Sequence, residues 1–334
     1  MFTRTLGRSN LTVSALGLGC WAIGGPFWRG ENPVGWGEVD DDKSLAALQR
    51  ALDLGVTFFD TSDVYGCGHS ERILGQALAG KRDQVVVATK FGNIFDEQTR
   101  QITGASGEAE QVRRACEASL RRLQTDYIDL YQFHIGNYEL DKAGETLETL
   151  EQLVVEGKIR WYGWSTDDPT RAAFFAQGKH CAAIQQRFNL FEGNSETLAI
   201  CETHNLASIN RGPLAMGLLT GKFDARSVIP QNDVRSNTMS WLAYFKGGKV
   251  APGFAERLDA IRDLLTTDGR TLSQGALAWL WARSPLTLPI PGFRSVAQVE
   301  ENCGALAKGP LPAAVMAEIE RVIEREPEGE PRER

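Results

Sequence analysis

The sequence predicts an α/β fold of the closed (β/α)8 type, a TIM barrel, and three features lead to that prediction. Eight short runs rich in β-branched and aromatic residues alternate with segments whose apolar residues recur at helical spacing. Parallel strands need crossover connections, and closing the sheet on itself removes both of its edges. The glycine signature of the alternative, an open doubly wound sheet, is missing: Gly17-Leu18-Gly19 is followed by Trp21 and Ile23, with no helix opening on a third glycine. Those glycines either relieve crowding at a strand end or let a ligand approach the backbone. A length of 334 residues suggests two domains by simple division, but α/β barrels of this size are single. The expected organisation is one barrel domain over residues 1–325, followed by a charged, proline-bearing and disordered tail over residues 326–334.

The elements follow in order. Phe2 to Leu6 and Leu11 to Ala15 flank the turn-like Gly7-Arg8-Ser9-Asn10, so a β-hairpin comes first. Leu16 to Gly19 reads as the first buried strand. A long loop carrying Trp21, Pro26, Phe27, Trp28 and Trp36 leads to a helix from about Asp42, with Leu45, Leu48 and Leu52 on one face and Gly55 as its stop. The second strand is Val56 to Phe59, and Ser70 is the expected N-cap of the next helix, which carries Ile73, Leu74 and Ala77. Strands are then expected at Val85 to Phe91, Tyr127 to His134, Ile159 to Trp164, Ala182 to Gln185, Ala207 to Asn210 and Leu286 to Ile290. Helices between them are marked by Val112, Cys116, Leu120 and Leu123, and by Leu147, Leu150 and Val154 before Gly157. Extra helices are expected at Phe254 to Leu265, ahead of the eighth strand, and at the C-terminus, where Pro312 precedes Val315, Ile319 and Val322.

Composition narrows the function classes. The net charge of -7 comes without a long basic or acidic run, which leaves no nucleic-acid footprint and disfavours anionic membranes. The six cysteines show no C-x-x-C spacing, so reduced, buried thiols are expected. No apolar run approaches the roughly 18 residues of a membrane span, and MFTRTLGRSN lacks the apolar core of a signal peptide, so a cytoplasmic protein is expected.

Barrels of this kind place chemistry at the C-terminal ends of their strands. Asp60 ends the second strand, Lys90 the third and His134 the fourth, while Tyr65 lies in the loop after Asp60. Singly these residues read as a loop cap, a solvated strand end and a structural histidine; together on one rim they form a machine for protonating a carbonyl oxygen. A phenol titrates near 10, an adjacent ammonium favours its ionised form, and a carboxylate keeps that ammonium charged. A neutral His134 then positions the carbonyl oxygen. One histidine without a thiolate pair is no metal site. Such a set supplies no electrons, so a reduction requires a hydride donor.

At this point the chain resembles the aldo-keto reductase superfamily, on FFDTSDVYGCGHSERILG, VVVATKFG, SLRRLQTDYIDLYQFH, GKIRWYGWST, RGPLAMGLLTGKF and PGFRSVAQVEEN, in order over nearly its whole length. The resemblance implies that Asp60, Tyr65, Lys90 and His134 are catalytic, with Tyr65 as general acid. It also implies that NADP(H), with NAD(H) as a possible substitute, lies extended across the barrel mouth and exchanges a hydride with a small-molecule carbonyl or alcohol. Matching positions imply cofactor contacts at Gly19, Cys20, Trp21 and Asp60 on the first strands, and at Ser165, Thr166 and Gln185 for the carboxamide. Further contacts are implied at Arg211, Gly212, Pro213, Leu214, Gly217, Leu219 and Lys222 along the pyrophosphate, and at Gly292, Arg294, Gln298, Glu301 and Asn302 around the adenosine. Ser295 with Gln298 fits a capping box whose helix N-terminus suits a phosphate, and Arg294 suits a 2′-phosphate.

Departures from the family pattern are Thr166 where an asparagine is common, and Arg211 where many members stack a tyrosine under the nicotinamide. The latter places positive charge near a cationic oxidised ring. The acid common three residues after the histidine is absent, Asn137 standing there. For the substrate, Trp21 and Trp28 with Tyr65 and His134 are expected at the mouth, and Trp36, Trp164, Tyr244 and Phe245 either join an aromatic wall or pack the outer layers. The expected function is NADPH-dependent reduction of aldehydes or ketones. Two alternatives stand beside it: NAD(P)+-dependent oxidation of a sugar or alcohol, and a non-enzymatic nucleotide-sensing subunit of the same fold.

Overall fold

The computed structural model describes residues 2–224, 226–237 and 242–323; the expected tail at 326–334 lies outside the described residues. Its centre is one sheet of parallel strands: β1 (Leu18–Gly19), β2 (Phe58–Asp60), β3 (Val86–Phe91), β4 (Ile128–Phe133), β5 (Ile159–Ser165), β6 (Cys181–Arg187), β7 (Ala207–Arg211) and β8 (Thr287–Pro289). They pair in sequence order, and the two ends meet. Gly17 and Gly19 donate their N–H groups to Pro289 O and Pro291 O, each at 3.0 Å. A Cβ on Gly19 would stand 2.9 Å from Ile290 O, so the seam closes only over a residue without a side chain.

Alternation along the strands divides the barrel into three regions. Phe58, Ala88, Leu130, Ala183, Ile209 and Leu288 point inward and pack against Leu6 and Val13. Those two come from the N-terminal hairpin (Thr3–Thr5 with Thr12–Ser14), which plugs the bottom; Arg8 in its turn donates to the carbonyls of Ala176, Gly178 and Cys181. The neighbours Phe59, Phe91, Tyr131, Phe133 and Trp164 face the helices and form the outer core. Two residues beyond the inward apolar set come Asp60, Lys90, Gln132, Gln185 and Arg211, so the top of the barrel is lined with polar groups.

The helices are α1 (Asp41–Asp53), α2 (His69–Ala77), α3 (Ala109–Leu123), α4 (Leu140–Val155), α5 (Pro169–Ala176), α6 (Ser195–His204), α7 (Phe254–Leu265), α8 (Leu272–Arg283), α9 (Val296–Gly304) and α10 (Ala313–Val322). Asp40 caps α1 by accepting from Lys43 N at 3.1 Å, and Gly55 follows its end at φ +80°. The expected cap at Ser70 is not one. Helix α2 starts at His69 after Gly68, and the Ser70 hydroxyl instead donates to Cys20 O at 2.9 Å, beside Thr61 Oγ1 at 2.9 Å. That bond ties the start of α2 to the end of β1.

Helix α8 has no counterpart in the sequence expectations. Nine of its 12 residues are buried, so it is apolar all round and shows no one-sided stripe. Also unexpected is a hairpin, Asn93–Asp96 with Gln101–Ala105, after β3. The expected helices α7 and α10 are present. All six cysteines are buried and unpaired, and no helix among the described residues is long and apolar enough to cross a membrane.

Candidate active site

Strand ends β2, β3, β4 and β6 deliver a hydrogen-bonded polar cluster at the top of the barrel. Lys90 Nζ, with no solvent exposure, lies 2.5 Å from Asp60 Oδ1, 2.7 Å from Thr61 O and 3.2 Å from Tyr65 Oη. Asp60 Oδ2 accepts from Gln132 Nε2 at 3.0 Å and Gln185 Nε2 at 2.7 Å. Burial pushes the Lys90 amine down, but the charges of Asp60 and Tyr65 outweigh it and leave the ammonium above its ordinary value. The group is therefore a fixed positive charge aimed at a phenol oxygen.

Tyr65 sits in the loop before α2, with its ring nearly parallel to Trp21 at 5.9 Å and perpendicular to His134 at 6.0 Å. Gly24 and Gly66 make that packing feasible. A Cβ on Gly66 would stand 1.7 Å from Gly24 O, and Gly66 holds φ +61°. The sequence-expected quartet of Asp60, Tyr65, Lys90 and His134 is thus brought together.

Asp60 and Tyr65 open onto a cavity of about 380 Å³ that runs across the barrel mouth. Gly19, Trp21, Gln185 and Arg211 also line it. Gly212, Pro213, Leu214, Gly217 and Lys222 from the segment after β7, and Gly292, Arg294, Gln298, Glu301 and Asn302 from the segment after β8, line it as well. The wall after β7 turns through five residues at positive φ, Gly212, Ala215, Met216, Gly217 and Gly221. Two observations indicate that this space suits a polar ligand. Arg211, 9% exposed, donates Nη2 to Asp167 at 2.7 Å while its Nε and Nη1 find no partner among the described residues; the buried Ser273 hydroxyl on the cavity wall also has none. At Gly212 and Gly292 a Cβ would meet nothing closer than 3.8 Å, so the backbone there is open to close approach.

Other expected positions lie elsewhere. Cys20 is buried, its N–H on Asp60 O at 2.8 Å, and Leu219 is buried in the outer core. Thr166 donates to Gly136 O at 2.8 Å, and Ser165 is buried at the end of β5 beside Gln185; neither borders the cavity. Trp28 is held in the small sheet with the 93–105 hairpin and is absent from the cavity wall. Trp164 points outward, its indole N–H on Ile135 O at 2.9 Å and its ring against Phe133 and Phe175, so it forms no part of an aromatic mouth. Phe245 packs on Phe223, whereas Trp36 and Tyr244 do line the cavity. The capping box is half formed: Ser295 accepts from Gln298 N at 3.3 Å, but Gln298 Oε1 turns to Arg294 N at 2.7 Å rather than to the cap residue. The Arg294 guanidinium holds the first loop through Trp36 O at 3.1 Å and Glu38 O.

Sequence reasoning missed Gln132, Asp167, Ser273 and Arg187, the last of which lines the cavity from the end of β6. Gln132 was legible in principle, two residues before His134 on the inward face; Asp167 and Ser273 reach the site from loop and helix starts that carry no periodic signal.

The Aldo/keto reductase family model matches residues 15–324. The aldo-keto reductase YhdN of Bacillus subtilis (strain 168) is 33% identical over 304 residues, covering 89% of this chain and 86% of its own. Among solved structures, the glycerol dehydrogenase AKR11B4 from Gluconobacter oxydans superposes with a TM-score of 0.81 at 30% identity, over 98% of this chain and 96% of that one. An aldo-keto reductase from Klebsiella pneumoniae in complex with NADPH gives 0.70 at 30% identity, over 100% and 99%.

Proposed function

This chain belongs to the aldo-keto reductase family, and from that premise we propose that it is an NADPH-dependent reductase of aldehydes or ketones, with Asp60, Tyr65, Lys90 and His134 as its catalytic residues. The single observation that carries the reading is the buried ammonium of Lys90, in contact with Asp60 at 2.5 Å and with the Tyr65 hydroxyl at 3.2 Å.

The residues fit the cofactor on the open polar atoms of Arg211 and Ser273 and the uncovered backbone at Gly212 and Gly292. Gln185, Arg211 and Trp21 would hold the nicotinamide end, the 212–222 wall the pyrophosphate, and Arg294, Gln298, Glu301 and Asn302 the adenosine. The Gln185 amide nitrogen is already bound to Asp60, which leaves its Oε1 as an acceptor for a carboxamide. Bound NADPH supplies a hydride to the carbonyl carbon.

The protein supplies the proton and the orientation. Tyr65 donates its hydroxyl proton to the carbonyl oxygen, and the Lys90 ammonium stabilises the phenolate left behind. Asp60, held by two glutamine amides, keeps Lys90 charged and pointed at the phenol. His134 gives the oxygen a second hydrogen bond, and Trp21 stacks on Tyr65 and excludes water from one side.

A second reading, oxidation of an alcohol by the same groups in reverse, is favoured by the glycerol dehydrogenase among the structural neighbours. Initial rates with NADPH, NADH, NADP+ and NAD+ on a panel of carbonyls and alcohols decide between them. Faster NADPH-linked reduction at equal saturation supports the proposal, and oxidation as the faster direction at neutral pH overturns it.

A further inference from the structure

His134 leaves β4 with its backbone N–H on Phe91 O at 2.8 Å, so its ring is oriented by side-chain partners. One of them is Ser62, whose Oγ lies 3.2 Å from His134 Nδ1 and 3.2 Å from Asp63 Oδ1. Ser62 has no solvent exposure and Asp63 has 1%. These two residues precede Tyr65 in the same loop, so one short segment carries Tyr65 and contacts His134.

A serine hydroxyl has one proton to give. If Asp63 is ionised, Ser62 donates to it, and a neutral His134 must carry its proton on Nδ1 in order to bond Ser62; Nε2 is then a bare acceptor. If Asp63 is protonated, its O–H can donate to Ser62, the Ser62 proton is then free for a bare Nδ1, and Nε2 carries the N–H. Only the second arrangement offers a donor to a carbonyl oxygen, which can only accept.

The Asp63 carboxyl is 1% exposed and in no ion pair among the described residues, which favours the second arrangement. Burial, reinforced by the neighbouring Glu71, pushes its carboxyl well above the usual carboxylate range. Arg122 opposes that shift but is bound to Glu71 at 2.7 Å and Glu97 at 3.0 Å. The remaining oxygen of Glu71 accepts from Thr89 at 2.6 Å, so Glu71 engages both Arg122 and Thr89.

We propose that Asp63 and Ser62 form a hydrogen-bonded relay that fixes His134 in its Nε2–H tautomer, which makes both of them positioning residues for the oxygen of a carbonyl substrate. The substrate half rests on the function proposed above; the tautomer half does not.

The full-length chain labelled with 15N-histidine separates the two halves. The sequence contains four histidines, and His134→Gln identifies the signals of His134. The expected wild-type pattern is a protonated Nε2 with a hydrogen-bonded, unprotonated Nδ1. Asp63→Asn, whose amide can donate to Ser62 as a protonated acid does, keeps that pattern. Ser62→Ala loses the hydrogen-bond signature at Nδ1, mixes the tautomers, and raises KM for the carbonyl by roughly five- to tenfold, the loss of about one hydrogen bond, while NADPH affinity is unchanged. A protonated Nδ1 in the wild type or in Asp63→Asn, or a Ser62→Ala spectrum like that of the wild type, overturns the relay. The expected tautomer pattern without turnover of any carbonyl supports the relay and overturns the functional reading instead.

Discussion

Replacing Lys90 with methionine, close in volume but uncharged, tests the electrostatic core of the site through stability alone. The side chain has no exposure, and its Nζ bonds Asp60 at 2.5 Å, Thr61 O at 2.7 Å and Tyr65 at 3.2 Å. Without it, the carboxylate of Asp60 keeps only the amide donors of Gln132 and Gln185 on Oδ2. Breaking one side of a buried ion pair costs about 3–5 kcal/mol, because the remaining charge stays desolvated. The loss at Thr61 O overlaps with this cost rather than adding to it. Asp60→Asn strands the ammonium instead, and the Asp60→Asn/Lys90→Met pair is expected to be less destabilised than the sum of the singles by about 2 kcal/mol.

Equilibrium urea unfolding, followed through the eight tryptophans, measures all four corners of the cycle. The pH dependence has a fixed sign. Burial lowers the Lys90 pKa, Asp60 and Tyr65 more than offset it, and the folded value lies above 10.5. The stabilisation is therefore complete below 10.5 and is lost as pH rises through the folded value, a loss absent from Lys90→Met. Additive single substitutions, or a Lys90→Met variant within about 1 kcal/mol of the wild type, would refute the buried-pair account, since that is the range of an exposed pair.

Two further outcomes follow from the structure. The Asp63 carboxyl titrates well above 3.8 in the fold, so the protonated form is favoured on folding and that contribution, complete below 3.8, is lost as pH rises through the folded value. Asp63→Asn should consequently be more stable than the wild type at neutral pH, with the gap in urea midpoint closing as pH falls towards 3.8; a gap that widens on acidification contradicts the assignment. At Gly163, where β5 shifts register against β6, a Cβ would stand 2.3 Å from Ala183 O. Gly163→Ala must push two paired strands apart and should cost about 1–3 kcal/mol or more, checked by thermal unfolding; a wild-type melting temperature would show that the strands separate freely.

The barrel and its rim were legible because two periodicities carry them. A period of two along the strands puts Asp60 and Lys90 two residues beyond inward apolar positions, and the helical period marks α1, α3 and α4. Where a segment is buried on every side, as in α8, no stripe exists to read. Trp164 illustrates a parity problem: one residue short of Ser165, it falls on the outer face, and proximity to the rim in sequence does not place it at the mouth. Ser70 shows competition for a hydroxyl, which serves Cys20 and Thr61 rather than its own helix. Arg294 borders the cleft, but its hold on Trp36 O and Glu38 O depends on how the long first loop folds back, and composition says nothing about that. The Ser62–His134 bond joins residues 72 apart, a pairing made by the β2-β3-β4 order of the sheet.

Single-turnover reduction by Tyr65→Phe tests the central claim most directly. With NADPH bound and a reactive aldehyde in excess, the variant should bind cofactor as the wild type does and transfer hydride slower by about 10²- to 10⁴-fold, the contribution of a positioned acid. Hydride transfer at the wild-type rate, with cofactor affinity intact, would show that the proton comes from elsewhere and that the Lys90–Tyr65 contact is structural.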